Sequence, residues 1–420
     1  MSAAAGAPLH ASLVAHVDAH HAGQVAFLRE IVRVPSDTPP GDNAPAAARA
    51  AELLERLGCT VERHPVPEAF LRDYGMTSVV NLIVRQRFGT GGPTVALNAH
   101  GDVVPPGDGW TRPPYEGVVD DGRMYARGVA VSKSDIASYT YALEALKAAA
   151  REGARLNGTV ELHFTYDEEL GGLAGPGFLF ERALTRPDYA IAAGFSYAIV
   201  TAHNGCLQLE VTVHGKAAHG AMPKTGVDAL RATNAMLTAL YAEADRLESS
   251  RSAVQGIDCP TLIVGRIDGG INTNVVPDRV VLKLDRRMIP EERPAEVEAH
   301  LRELIEAVAR AQPGVHVDIR VLLLARALSP RPGHEKLVAV LRRHAERIFG
   351  VPIPAVGVPL YADARLYGEH GVPTVMYGAG PRTVLEANAK RADENLLLDD
   401  LRRATQVVAC AVADLLSGPG

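Results

Sequence analysis

His100-Gly101-Asp102 follows a run of small and apolar residues, Thr94 to Asn98, and Asp167-Glu168-Glu169 follows a second such run, Gly158 to Thr165. A carboxylate close to a histidine can hold one tautomer of the imidazole, as carboxylates do behind metal-bound histidines. Adjacent acids can take different roles, one ligating a cation and the other moving a proton. The competing reading of the acidic run is a solvated loop. Gly171-Gly172 directly after it, and His100-Gly101-Asp102 at the end of another strand, favour a site. Open α/β sheets place their sites beyond the carboxyl ends of their strands.

The surrounding pattern supplies those strands. Leu13 to Val34 has helical periodicity and stops before Pro35. A second helix is predicted from about Pro45 to Leu57, with Gly58 as the C′ residue just beyond its end. Apolar runs at Cys59–Glu62, Ser78–Val84 and Thr94–Asn98 predict strands, and Asp121-Gly122 predicts a hairpin turn. A helix from about Ser134 to Ala150 precedes the strand Gly158–Thr165. Such alternation argues for an α/β sheet with covered faces.

After Ala202 the pattern changes. A strand at Leu207–Val213 is followed by a helix at Asp228–Leu247 and strands near Thr261–Ile267 and Val280–Arg286. A helix near Ala295–Ala311 and a strand near Val315–Leu324 complete the series. This β-α-β-β-α-β order is the ferredoxin-like unit. It predicts an inserted α+β domain at 206–326 within an α/β domain made of 1–205 and 327–420. In that last part, helices are expected at Lys336–Phe349 and Asn395–Leu416, with a strand at Thr374–Tyr377.

Composition excludes several classes of function. The chain has 43 basic and 49 acidic residues among 420, a formal charge of −6, with no basic run suited to nucleic acid or a membrane surface. No apolar stretch is long enough to span a bilayer, and no secretory leader is read at the start. The scattered Cys59, Cys206, Cys259 and Cys410 lack metal or redox spacing. The expectation is a cytoplasmic protein with buried free thiols.

An ordered series of motifs carries a resemblance. It comprises Ala99-His100-Gly101-Asp102, Asp120-Asp121-Gly122, Tyr125-Ala126-Arg127-Gly128 running on to Lys133, and Asp167-Glu168-Glu169. It continues with His214-Gly215-Lys216-Ala217-Ala218-His219-Gly220, Gly270-Ile271-Asn272-Thr273-Asn274, Asp285-Arg286-Arg287 and Asp363-Ala364-Arg365. Over nearly its whole length the chain resembles the M20 metallopeptidases and amidohydrolases. These include carboxypeptidases, desuccinylases, aminoacylases and acetylornithine deacetylases. The resemblance implies a two-lobed plan, a catalytic α/β domain interrupted by a ferredoxin-like dimerisation domain, and hence a homodimer. It implies His100 and Glu169 as ligands of two different metals and Glu168 as the general base. It further implies His219 as an oxyanion stabiliser, often in a partner's site, and Asn274 and Arg287 as contacts to a small carboxylate-bearing substrate.

The resemblance also exposes departures. Val131 occupies the place of the bridging aspartate, Gly194 that of the next acidic ligand, and Lys390 that of the last histidine. Valine and glycine offer no side-chain donor, and a lysine ammonium repels a cation. No intact dinuclear centre is expected, and at most one weakly held zinc or manganese. Asp135, Asp188 and His203 are the nearest candidates to rebuild a single site. Three readings follow. The first is an enzyme acting on a C–N bond with Glu168 as acid/base, Lys390 and Glu169 as an ion pair and His100 retained beside the substrate. The others are a mononuclear amidohydrolase and a non-catalytic small-molecule binder.

Overall fold

The computed structural model describes residues 3–417. Contacts divide the chain into two units. The first runs up to Thr201 and includes Pro330–Val356 and the residues from Ala362 on; the second is Ala202–Ser329 with Gly357–Tyr361.

The first unit is built on an eight-stranded sheet. Its order is Val61–Pro65, Val80–Phe88, Gly158–Thr165, Thr94–His100, Tyr189–Ala192, Thr374–Met376, Ile199–His203, Ala355–Val358. Thr94–His100 lies parallel to both neighbours, and Thr374–Met376 lies parallel to Tyr189–Ala192. The central strands are buried almost throughout, as expected when helices cover the faces of a parallel sheet. Helices Ala3–Val32, Lys133–Arg151, His334–Phe349 and Leu398–Leu416 pack on one another and share one apolar core with the sheet.

The Gly158–Thr165 strand has the predicted limits. Asp121-Gly122 turns between Val118–Asp120 and Arg123–Tyr125 with φ of 46° and 70°. Two positive φ values in succession give a turn whose twist matches that of the strands it joins. Other expectations needed correction. The first helix extends back to Ala3, through an alanine-rich stretch that lacks an apolar stripe but favours helix intrinsically. The segment read as the start of the last helix is instead a short strand, Asn395–Leu397, with the helix beginning at Leu398. Among the thiols, Cys59 and Cys259 are only half-buried.

The second unit is a four-stranded antiparallel sheet carrying two helices. The strand order is Thr261–Gly269, Arg279–Met288, Gly205–His214, His316–Ala325, with helices Ala229–Leu247 and Pro294–Arg310. This is the ferredoxin-like order, and strict alternation along Leu207–His214 puts one face in its own core. Asp228 caps its helix, accepting the Arg231 N–H at 3.0 Å.

Candidate functional site

Parallel pairing brings three strand ends together. His100 pairs with Thr165, so the turn Glu168–Leu170 starts beside it, and Asn98 pairs with Ala192, so Gly194 emerges on the same edge.

Asp102, fully buried, organises the first two ends. Its Oδ1 accepts the Glu168 N–H at 3.2 Å and its Oδ2 accepts the Glu169 N–H at 3.0 Å. His100 Nδ1 lies 3.0 Å from the Asp102 carbonyl oxygen and 3.3 Å from its Oδ1, which turns Nε2 toward Glu168 Oε2 at 3.8 Å. The second contact is too long for a hydrogen bond and acts as a charge contact. Ser132 Oγ clamps the His100 backbone, accepting its N–H and donating to its carbonyl, each at 3.0 Å. Burial opposes the His100 charge, but Glu168 and Asp102 outweigh it and raise its pKa to about 10. Burial lifts the Glu169 carboxyl to about 7 against the pull of Lys390, and burial with the nearby Glu168 lifts Asp363 to about 8.

Lys390 Nζ donates to Glu169 Oε2 at 2.6 Å across 221 residues of sequence. Its side chain is half-exposed, with the ammonium against the buried Glu169. Burial works against the ammonium, yet Glu169 and Glu168 hold its pKa above the ordinary lysine value. The loop presenting it is unusual: Asn388, Lys390 and Asp393 have φ of 50°, 61° and 56°. Each left-handed non-glycine residue costs about 1 kcal/mol, so surrounding contacts must hold the loop in place. Asp393 Oδ1 accepts the Thr111 N–H at 2.9 Å. Buried Glu394 accepts from Arg127 at 2.6 Å and from the Ala130 N–H at 3.0 Å.

The donor set does not fit a two-metal centre. Val131 has no ligating atom, and its N–H is spent on Glu394 Oε1 at 3.3 Å. At Gly194 even a Cβ would stand 2.7 Å from the Met376 carbonyl carbon and the Tyr377 nitrogen. Those are backbone atoms, so an acidic side chain has no room unless the strand end moves. Lys390 already occupies Glu169.

The three candidates for rebuilding a site fare differently. Asp135 is fully buried, and its Oδ1 accepts the Ala379 N–H at 2.6 Å. Burial raises its carboxyl to about 7, and its work is to hold the 378–379 segment. Asp188 is a correction. It is exposed and accepts the Thr94 N–H at 2.7 Å, at the end of the Thr94–His100 strand away from His100. Seven extended residues place it about 20 Å from the site edge. His203 is buried at the end of the Ile199–His203 strand, with Nδ1 on the Asn204 carbonyl oxygen at 2.9 Å.

The second unit brings two of its candidates together. His219 pairs with Val275, and the Gly220 N–H donates to the Asn274 carbonyl at 2.7 Å; both side chains are exposed. Arg287, read as a contact for a substrate carboxylate, already has one: its Nε donates to Asp285 Oδ1 at 2.8 Å, and its guanidinium lies 5.2 Å from the Tyr361 ring. Within the first unit, sequence reasoning gave no role to Asp363, Ser132 or Glu394. Asp363 lies in the Asp363-Ala364-Arg365 motif quoted above, which was the available signal. Ser132 carried none.

Comparison with known proteins agrees with this architecture. The profile of Peptidase family M20/M25/M40 matches residues 96–414. An acetylornithine deacetylase from Myxococcus xanthus is 30% identical over 90% of this chain and 93% of its own length. A succinyl-diaminopimelate desuccinylase from Rhodospirillum centenum is 29% identical over 91% and 95%. Among solved structures, the M20 family metallo-carboxypeptidase Sso-CP2 from Sulfolobus solfataricus superposes with a TM-score of 0.76 at 17% identity, covering 93% of this chain and 98% of its own. Human carnosine dipeptidase 1 gives 0.74 at 18% identity, covering 98% and 99%. The protein is therefore a member of the M20 peptidase family, a hydrolase-fold enzyme of the amidohydrolase and peptidase type.

Proposed function

We propose that this chain acts on a C–N bond of a small carboxylate-bearing substrate without a two-metal centre, using Glu168 as its acid/base. The likeness to an acetylornithine deacetylase and a succinyl-diaminopimelate desuccinylase supports that substrate class. The observation that carries the reading is the Lys390–Glu169 ion pair at 2.6 Å in a site whose Gly194 is sealed by backbone. An ammonium anchored there can meet negative charge that develops on a carbonyl oxygen.

Glu168 occupies the position of the family base, with its N–H on Asp102 and its carboxylate facing His100. In a hydrolysis, water adds to the carbonyl carbon and Glu168 takes the proton. The oxyanion is met by Lys390, and Glu168 returns the proton to the leaving nitrogen as the C–N bond breaks. A lone carboxylate activates water weakly. The substrate should therefore be more activated than a peptide bond, such as an imine, or the reaction should be a proton shift or elimination.

The same reading takes the chain to be a homodimer through the second unit. Exposed Ile263 and Ile267 on the edge strand Thr261–Gly269 support it, as does exposed Tyr241 on the helix beside that strand.

The test is a panel of N-acyl amino acids, dipeptides and cyclic imines, assayed on chelator-treated protein with and without zinc. Turnover unaffected by chelator supports the proposal. Activity abolished by chelator and restored by zinc refutes it. Binding without turnover across the panel favours the binder. Sedimentation as a monomer that remains fully active would refute the dimer.

A further inference from the structure

A second cluster of ligating side chains lies away from the strand ends, where three helices of the first unit meet. His10 comes from Ala3–Val32, His344 from His334–Phe349 and Asp414 from Leu398–Leu416. His10 Nε2 lies 2.8 Å from Asp414 Oδ1, and His344 Nε2 lies 2.5 Å from Asp414 Oδ2. The imidazole rings are edge to face with centroids 4.5 Å apart. One ligand atom from each residue falls within a common span of 4.8 Å. We infer that His10, His344 and Asp414 form a binding site for one zinc-type divalent cation that fastens the amino-terminal helix to the two later ones.

The chemistry of the set favours this ion class. Two imidazoles and one carboxylate are borderline donors of the kind zinc takes, and zinc bonds of about 2.0–2.1 Å separate ligands by about 3.4 Å. The present contacts need only open by under about 1 Å to admit the ion. Binding would replace the protons that the imidazoles now share with Asp414, so it releases protons and weakens as pH falls. His344 is almost fully buried, whereas His10 and Asp414 keep 17% and 19% of their side chains exposed, which leaves an entry and a fourth position for water.

Two cations stand nearby. Arg343 pairs with Asp414, and Arg347 lies 3.5 Å from His344 Nδ1. Both are exposed at the surface and can swing into solvent. The arrangement is local to the helical layer and rests on none of the active-site reading.

The test uses full-length protein, stripped with chelator and desalted, then titrated with Zn²⁺ in competition with a chromophoric chelator. Co²⁺ absorption is followed in parallel. The expected result is one equivalent bound and a Tm about 3 °C higher in saturating zinc. His10→Ala and Asp414→Asn should each weaken binding by about 10-fold or more. His100→Ala should leave the affinity unchanged, as should His16→Ala, which removes the stacked His16–His20 pair on the same helix. Because His344 is buried, His10→Ala is the decisive variant, with circular dichroism of the metal-free form to confirm folding. No binding at about 100 μM zinc, or binding lost in His100→Ala or His16→Ala but kept in His10→Ala, overturns the inference.

Discussion

Two of the histidine–carboxylate groupings in the first unit behave in opposite ways. At the strand ends, His100 faces Asp102 and Glu168, with Glu169, Asp363 and Asp167 close by. Burial pushes the carboxyls up there, with neighbouring acids adding to it, and Glu168 and Asp102 raise the imidazole against its own burial. Where the helices meet, one aspartate serves two histidines and an arginine. Burial would raise the Asp414 carboxyl, but its bonds to His10 and His344 win and depress it far below the usual range. The same residue types thus make an acid-rich cluster in one place and a base-rich one in the other. What separates them is burial together with the local ratio of charges.

The largest effect expected is on catalysis. Lys390→Met should lower kcat/KM by about 10³-fold, the scale of losing one preorganised charge partner for an oxyanion. Circular dichroism should show the fold intact, and unchanged turnover would remove Lys390 from the mechanism. Glu168→Gln should reduce kcat by about 10²-fold or more, the usual span of general acid–base catalysis. The measurement is steady-state kinetics on the best substrate of the panel.

Stability should separate the groupings next. Gly194→Glu would drive a side chain into the Met376–Tyr377 backbone and should cost about 3 kcal/mol by denaturant unfolding. A variant as stable as the parent would show that the position can be opened after all. Asp414→Asn should cost about 2 kcal/mol at neutral pH, the scale of losing hydrogen bonds to a charged group. Its folded pKa is depressed, so its stabilisation is fully present above the unfolded value of about 3.9 and fades as pH falls below it. Parent and variant should therefore converge in acid.

The strand-end acids should show the opposite slope. Glu169 and Asp363, with folded pKa values of about 7 and 8, bind protons more tightly folded than unfolded. Their contribution is fully present below about pH 4 and is lost as pH rises to about 8. Asp363→Asn should flatten that part of the stability curve, and an unchanged slope would refute the assignment. The smallest effect is expected for Val131→Asp. With Gly194 and Lys390 still in place it should recruit no metal by mass spectrometry, and a stoichiometric ion would contradict the proposal of a site without a two-metal centre.

Much of this was legible in the chain. The Gly158–Thr165 strand, the Asp121-Gly122 turn and the β-α-β-β-α-β order of the second unit are local signals, set by alternation, turn chemistry and period. The short strands Tyr189–Ala192 and Ala355–Val358 were not legible, because so few residues carry no period of their own. Asp188 misled because it stands near Gly194 in sequence, while a strand of the sheet runs between them in space.

The sequence by itself determined which donors exist: Val131 and Gly194 offer no side-chain donor, and Lys390 offers an ammonium. Only the tertiary structure decided which partners these positions meet. Lys390 reaches Glu169 because a strained loop tied to Thr111 and Arg127 carries it there. Gly194 is closed because a parallel neighbour lays Met376 and Tyr377 against it. His10, His344 and Asp414 converge across 404 residues because helices with no local reason to meet share one core. Residue type fixes what a side chain can donate or accept. Which partner it finds is settled by packing, whose contacts join positions too distant in sequence for any local pattern to register.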